Sequence, residues 1–249
     1  MNSMLDRARP SVGAALGVYV GYLAIFFAVW IINDVDYMTI GATVESAKLH
    51  YAMPTMLGSL FIAAVLTVTG WWRVVLFDAD RSGPRWAWFG PVAMFVLAVL
   101  GFATLHAENL TGGMVLWATL GGIGVGFGEE MITRGVLLTA LRSRVSERQA
   151  WLYSTLAFSA LHIPNAFFGV PIAAVPFQVA MTFIVGSLLW ATRRLSGTLL
   201  LPIFLHGFWD SSVFVPRSTG SAGNLWATLI YPIAIVCVIG VLRQHRPRR

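Results

Sequence analysis

Six ionisable side chains stand in otherwise apolar stretches of this sequence, and together they could do chemistry. They are Glu129, Glu130, Arg134, His162, His206 and Asp210. An ionisable residue at the centre of a spanning helix costs about 2.5–3.5 kcal/mol on insertion scales, so such residues mark function by default. This set is suited to activating water at a carbonyl group, because it offers a base, a polariser or metal ligands, and oxyanion donors.

The spacing of these residues assigns different tasks to the two adjacent glutamates. Glu130 and Arg134 are four residues apart, so on a helix they share a face and can pair. Glu129 lies about 100° around the helix from Glu130 and is less neutralised. We therefore predict that Glu130 stays ionised beside Arg134, whereas Glu129 is free to take a proton. His206 and Asp210 are also four residues apart and share a face. Glycines that would allow close helix packing precede the pair, namely Gly121, Gly122, Gly124, Gly126 and Gly128.

The remaining sequence predicts the helices that must position these side chains. Of the 249 residues, 57% are hydrophobic and 11% are charged, whereas soluble domains have about 25% charged residues. Runs of about 20 apolar residues are long enough to span a bilayer. We predict an all-α, polytopic transmembrane helix bundle with about eight spanning helices. The predicted spans are approximately 11–32, 53–76, 86–105, 113–141, 149–168, 172–192, 198–215 and 225–242.

Basic residues alternate from one predicted loop to the next. The basic segments contain Arg7 and Arg9; Arg73, Arg81 and Arg85; Arg142, Arg144 and Arg148; Arg193 and Arg194; and Arg243, Arg246, Arg248 and Arg249. The positive-inside rule then predicts a multi-pass cell-membrane protein with both termini in the cytoplasm. The chain has a net charge of +6, and most of its basic residues lie in these loops, which favours the lipid bilayer and not nucleic acid as a partner.

Several other reaction types have no motif here. The single cysteine, Cys237, excludes an internal disulfide and a C-x-x-C metal site. Neither G-x-S-x-G nor H-E-x-x-H occurs in the sequence. A serine-hydrolase elbow and a helical zincin site are therefore excluded, and the Glu and His residues remain the candidates.

Three motifs in order carry a family resemblance: E-E-x-x-x-R, F-x-x-x-H and H-x-x-x-D. Their residues are Glu129, Glu130, Arg134, Phe158, His162, His206 and Asp210. The sequence resembles the CPBP intramembrane proteases, also called the CAAX prenyl protease 2 or Abi family. Asp210 departs from the asparagine that eukaryotic prenyl-protein proteases usually have at this position. An arginine-rich chain whose only lysine is Lys48 looks like a bacterial member.

The resemblance implies a role for each matching residue. Glu129 and His162 would position and deprotonate the attacking water. Glu130, Arg134 and Phe158 would support that site. In such a family, the catalytic core would cover about 113–215 of a single membrane domain, 1–249, with 1–105 as N-terminal accessory helices.

The third motif and the cofactor leave alternatives open. His206 and Asp210 would stabilise the oxyanion or hold the site, and Asp210 could donate only if protonated. The family has been described both as metalloproteases and as glutamate-dependent proteases. Glu129, His162 and His206 would form an adequate ligand set for a divalent metal, zinc above all, with one open position.

The implied function is an intramembrane endopeptidase that hydrolyses a peptide bond in a membrane-associated peptide or protein. Two other functions remain open. One is a non-catalytic bacteriocin-immunity or membrane scaffold protein of the same fold. The other is a proton-coupled transporter, since Glu–Arg and His–Asp pairs also form proton relays. The lack of an inverted repeat argues against the transporter.

Overall fold

The computed structural model describes residues 9–79 and 81–244. The predicted basic residues outside this part of the chain are Arg7, Arg246, Arg248 and Arg249. Within the described ranges the chain is helical, apart from turns and an isolated antiparallel bridge between Phe77 and Thr198. The predicted all-α bundle is confirmed.

The helices follow one another through short connections. The α-helices are α1 Val12–Ile32, α2 Val44–Ser46, α3 Met53–Thr69, α4 Trp72–Leu76, α5 Phe89–Phe102, α6 Gly112–Glu130, α7 Leu138–Leu141, α8 Glu147–Ala160, α9 Val175–Ser196, α10 Leu200–Ser218 and α11 Ile230–Gln244. Two π-helical segments, Ala47–Ala52 and Met131–Leu137, join α2 to α3 and α6 to α7. Short 3-10 turns occupy Tyr37–Thr39, Arg85–Trp88, Ala107–Asn109, Ile163–Phe168, Ile172–Ala174 and Leu225–Leu229.

Local capping residues explain where several helices begin and end. The side chains of Ser11, Thr111 and Ser146 accept hydrogen bonds from the first turns of α1, α6 and α8. These bonds satisfy backbone N–H groups that have no partner within the helix. At the other end, Gly70 and Gly197 adopt left-handed conformations, with φ of 70° and 73°, and terminate α3 and α9.

Five helical stretches of the described chain are long and apolar enough to cross a membrane. They are Val12–Ile32, Val44–Thr69, Arg85–Phe102, Ile172–Ser196 and Leu225–Gln244. The other three predicted spans are helical as well, but they contain the three motifs. Glycines and ionisable residues replace apolar ones there. The stretches that are least typical of a lipid-facing helix are therefore those with the candidate chemistry.

Most predicted boundaries differ from the structure by a few residues, and two spans differ by more. The second span was expected over 53–76, but helix starts at Val44, and Gly70 separates α3 from α4. The fifth span was expected over 149–168, but α8 ends at Ala160 and the chain continues as a 3-10 turn. Pro164 explains the second difference, because proline cannot donate to the helical hydrogen-bond ladder.

Close contact between α6 and α10 depends on glycines at their crossing. A Cβ at Gly126 would collide with the carbonyl oxygen of Ile203, and a Cβ at Gly207 would collide with that of Gly122. Small residues at such a crossing allow two backbones to approach within a membrane. This crossing places the first and third motifs side by side.

The opposite side of α6 packs against the N-terminal helices in the same way. A Cβ at Gly121 would meet the ring of Tyr51, and one at Gly124 would meet Thr55. The Ser59 hydroxyl donates a hydrogen bond to the Gly124 carbonyl over 3.0 Å. The predicted glycine packing is therefore present on both sides, and α6 is the central helix of the bundle.

We predict that Gly126→Ala lowers the free energy of unfolding by about 1–3 kcal/mol, because overpacking forces the backbones of α6 and α10 apart. Gly17→Ala is the matched control, since a Cβ at Gly17 meets no atom within 4 Å. It should leave stability unchanged or raise it, because alanine favours helix over glycine. Thermal unfolding of both variants in detergent tests this, and equal effects would contradict the assigned crossing.

Candidate active site

The first motif lies where the long central helix changes its pitch. α6 ends at Glu130, and the next seven residues, Met131–Leu137, form a π-helix. π-helical turns are rare and frequently occur at functional sites. Arg134 Nη1 lies 2.9 Å from Glu130 Oε1, and both side chains are fully buried. The predicted ion pair is therefore present.

His206 from α10 joins this pair. Its Nδ1 lies 3.1 Å from the same oxygen, Oε1 of Glu130. Since the Glu130 carboxylate is paired with Arg134, it acts as an acceptor and His206 Nδ1 as the donor. The imidazole is thereby held in one orientation, with Nε2 left for another partner.

The ring of Phe158 contacts all three motifs. The Arg134 guanidinium lies 3.8 Å from the ring centroid, within range of a cation–π contact. The rings of His162 and His206 both meet Phe158 edge to face, with centroids 5.7 and 5.6 Å away. Gly186 of α9 leaves room for this group, because a Cβ there would collide with Arg134 Nη2. Phe158 therefore fixes the spacing between the motifs.

Helix lengths bring His162 to the depth of the glutamates. Glu129 lies 12 residues before the end of α7 at Leu141, or about 18 Å along the helix. The chain turns, α8 begins at Glu147 and packs back against the π-helix, and His162 follows 15 residues later, after about 22 Å. The two distances are similar, so the second motif returns to the level of the first.

A cavity of about 90 Å³ lies where these helices meet. Glu129, His162 and Asp210 line it, one from each motif. Glu129 has no ion-pair partner within 4 Å among the described residues. Glu130 does not line this cavity, and its side chain is fully buried. The structure thus separates a cavity-lining glutamate from a buried, paired one, and the cavity has room for water.

The N-terminal helices also form part of this cavity, which sequence reasoning missed. Tyr22, Phe26 and Trp30 of α1 and His50 of the first π-helix line it. The aromatic residues of α1 recur at intervals of three and four, which indicates that one face of the helix is packed. This spacing does not indicate which helix packs against that face. The prediction that 1–105 is merely accessory stays untested, yet α1 supplies much of the apolar wall.

Asn165 is a second residue that the motif analysis overlooked. It is only 4% exposed and lines the cavity. Its Nδ2 donates to Gln178 Oε1 over 3.3 Å, and Gln178 Nε2 donates to the Tyr37 hydroxyl over 3.0 Å. The signal was available in the sequence, since this amide stands three residues after His162.

The proposed ligand set does not form a metal site in this arrangement. Among the residues that the structure describes, no three His, Cys, Asp or Glu side chains are grouped so that they could hold a metal ion. Glu129 and His162 share the cavity, but His206 directs Nδ1 at Glu130. Zinc binding by Glu129, His162 and His206 stays a prediction.

Comparison with known proteins identifies a family match. Residues 111–212 match the family described as Rce1-like, type II CAAX prenyl endopeptidases. This segment contains all three motifs, so the family resemblance is confirmed there. Neither a curated protein nor a solved structure matches the chain.

We predict that Arg134→Met lowers the free energy of unfolding by about 3–5 kcal/mol, because it removes the cationic partner of the buried Glu130 carboxylate and leaves only the hydrogen bond from His206. Adding Glu130→Gln to Arg134→Met should recover part of this loss, since the unpaired charge is removed. Thermal unfolding of the two single variants and the double variant measures this coupling. Strictly additive losses would contradict a direct ion pair.

Proposed function

Because residues 111–212 match type II CAAX prenyl endopeptidases of the Rce1-like family, we propose that this protein is an intramembrane endopeptidase. Its substrate would be a membrane-associated peptide or protein. The observation that carries the proposal is the cavity lined by Glu129, His162 and Asp210. A site enclosed by helices and containing a carboxylate and an imidazole is suited to hydrolysis of a bond that bulk water rarely reaches.

In the proposed reaction, Glu129 is the general base. With His162 it holds a water molecule in the cavity and takes a proton from it as the water oxygen attacks the scissile carbonyl carbon. The tetrahedral intermediate collapses when the C–N bond breaks and Glu129 returns the proton to the leaving amine. Positioned proton transfer of this kind typically contributes about 10²–10⁴-fold to the rate.

His206 would support the developing negative charge. Its Nδ1 faces Glu130 and the ring does not line the cavity, so this role requires a second proton on Nε2 and the approach of the oxyanion to that nitrogen. Asp210, when ionised, accepts hydrogen bonds only and would orient neighbouring donors instead.

Asn165 supplies a neutral donor that Asp210 lacks. One N–H of its amide is used by Gln178, and the other is available to an oxyanion in the cavity. The chain from Asn165 through Gln178 to Tyr37 fixes the amide before substrate binds. Preorganised donors of this kind are worth more than mobile ones, since they cost no reorganisation during the reaction.

Membrane placement follows from the apolar helices and the basic loops. The protein is a multi-pass membrane protein, and we propose that both termini lie in the cytoplasm, as the alternation of basic loops favours. The aromatic wall from α1 suits apolar side chains next to the scissile bond. A zinc-dependent form of this hydrolysis is a second proposal. Loss of cleavage in the presence of a chelator would distinguish it from the metal-free reaction.

The central experiment compares wild-type protein with Glu129→Gln in detergent, using a library of quenched fluorescent peptides with and without a chelator. We expect Glu129→Gln to lower cleavage by at least about 10²-fold, because glutamine cannot take a proton from water. Glu108→Gln is the matched control, since its side chain is 71% exposed in a loop. Cleavage retained by Glu129→Gln would contradict the proposed mechanism.

A second prediction concerns the amide donor. Asn165→Asp preserves size but removes the N–H donor, so we expect kcat to fall by about 10²–10³-fold with little change in KM. Gln178→Leu should cause a smaller loss of kcat, because it removes the hydrogen bond that orients the Asn165 amide but keeps the amide itself. Steady-state kinetics, with thermal unfolding to verify folding, test this. An unchanged kcat in Asn165→Asp would remove Asn165 from the reaction.

A further inference from the structure

A network of arginines and acids joins the segment after α4, the connection between α7 and α8, and the last turn of α9. Asp78 contacts Arg142 at 2.8 Å, Arg193 at 2.7 Å and Arg194 at 3.1 Å. Glu147 contacts Arg142 at 2.7 Å and Arg194 at 3.7 Å. We call these five residues the arginine clasp. Because three arginines face two carboxylates, the clasp retains a positive charge.

The charge states within the clasp are well defined. Burial alone would raise the pKa of Asp78, but the nearby guanidinium groups of Arg193 and Arg142 outweigh that effect and lower it to about 2. Asp78 therefore stays ionised at any physiological pH and is fully committed to its arginines. These ion pairs hold the side chains of Arg142 and Arg194 in fixed positions.

An open cavity of about 730 Å³ lies beside the clasp. Arg142 and Arg194 line it together with two further arginines, Arg9 and Arg73. Neither Arg9 nor Arg73 has an ion-pair partner within 4 Å among residues 9–79 and 81–244. We call this cavity the arginine basin. Four arginines against the carboxylates of the clasp give it a net positive lining.

A buried hydroxyl in the basin lacks a hydrogen-bond partner. Thr139 of α7 lines the basin, is only 7% exposed, and its Oγ1 makes no hydrogen bond. A buried hydroxyl without a partner costs free energy, so such a group is normally satisfied by water or a ligand. The basin thus combines positive charge with an unused neutral hydrogen-bonding group.

The position of the basin favours a ligand at the membrane surface. Its walls come from the connections around Phe77 and Arg142, which the distribution of basic residues assigns to the cytoplasmic face. Phe77 also lines the basin and is half exposed, so an apolar chain could lie beside the charged group. Anionic lipids give the cytoplasmic leaflet its negative surface potential.

From these observations we infer that the arginine basin binds a phosphate group, carried by an anionic phospholipid or free in solution. Its oxygens accept from Arg9 and Arg73, while the Thr139 hydroxyl donates to a further oxygen. Arginine matches phosphate because its planar fork forms two parallel bonds. This site is separate from the cavity that Glu129 lines and requires no proteolytic activity.

The test measures binding to purified full-length protein with three probes. These are phosphatidylglycerol in mixed micelles, phosphatidylcholine as the net-neutral lipid, and inorganic phosphate. The double variant Arg9→Gln/Arg73→Gln should raise the dissociation constant for phosphatidylglycerol about 30-fold. The matched control, Arg85→Gln/Arg144→Gln, removes two exposed arginines that do not line the basin, and should leave binding within about twofold of wild type.

Thr139→Val tests whether the Thr139 hydroxyl binds the ligand or only stabilises the fold, because the two roles predict different changes in binding and in unfolding temperature. Removing an unpaired buried hydroxyl should leave the ligand-free unfolding temperature unchanged or raise it. The same change should weaken phosphatidylglycerol binding several-fold, because the ligand loses a donor. A lower ligand-free unfolding temperature with unchanged binding would overturn the role of Thr139.

The three probes separate the possible outcomes. Tight binding of phosphatidylglycerol without binding of inorganic phosphate supports a lipid ligand. Binding of inorganic phosphate that displaces phosphatidylglycerol supports free phosphate as the ligand. Equal binding of phosphatidylglycerol and phosphatidylcholine, with no effect of phosphate, overturns the inference. Equal losses in the basin variant and the control variant overturn it too, since a diffuse positive surface would then explain the binding.

Discussion

The structure depends on one buried interaction, the ion pair between Glu130 and Arg134 with His206 attached to the same carboxylate oxygen. Two charges without access to water are tolerated only when each compensates the other. That requirement fixes the rotamers of three side chains on two helices. It also explains why Phe158 and Gly186 lie where they do, since one covers the guanidinium and the other leaves room for it.

The other features serve to bring this pair next to a reactive glutamate. The glycine crossing at Gly126 and Gly207 brings α10 against α6, so that His206 reaches Glu130. The π-helix continues the central helix through the pair. Glu129, one residue earlier, faces the cavity instead of the ion pair. A single peptide unit therefore separates the structural carboxylate from the one that we propose for catalysis.

The sequence predicted contacts within one helix far better than contacts between helices. The pairing of Glu130 with Arg134 follows from their spacing alone, and the glycines of α6 indicated close packing without naming the partner. The bond from His206 to Glu130 and the cavity walls from α1 depend on tertiary packing between distant segments, which no local pattern encodes. The π-helix and the early end of α8 were missed because hydropathy reports apolar length and not backbone hydrogen bonding.

The central claim is that Glu130 stabilises the fold as the partner of Arg134, whereas Glu129 serves catalysis. Thermal unfolding of Glu129→Gln beside Glu130→Gln tests this claim most directly. Both changes neutralise one carboxylate with almost no change in volume. The account predicts a clear fall in unfolding temperature for Glu130→Gln, because Arg134 becomes an unpaired buried charge. It predicts no fall for Glu129→Gln, since that side chain has no ion-pair partner in the described part of the chain. Equal destabilisation by both variants would contradict it.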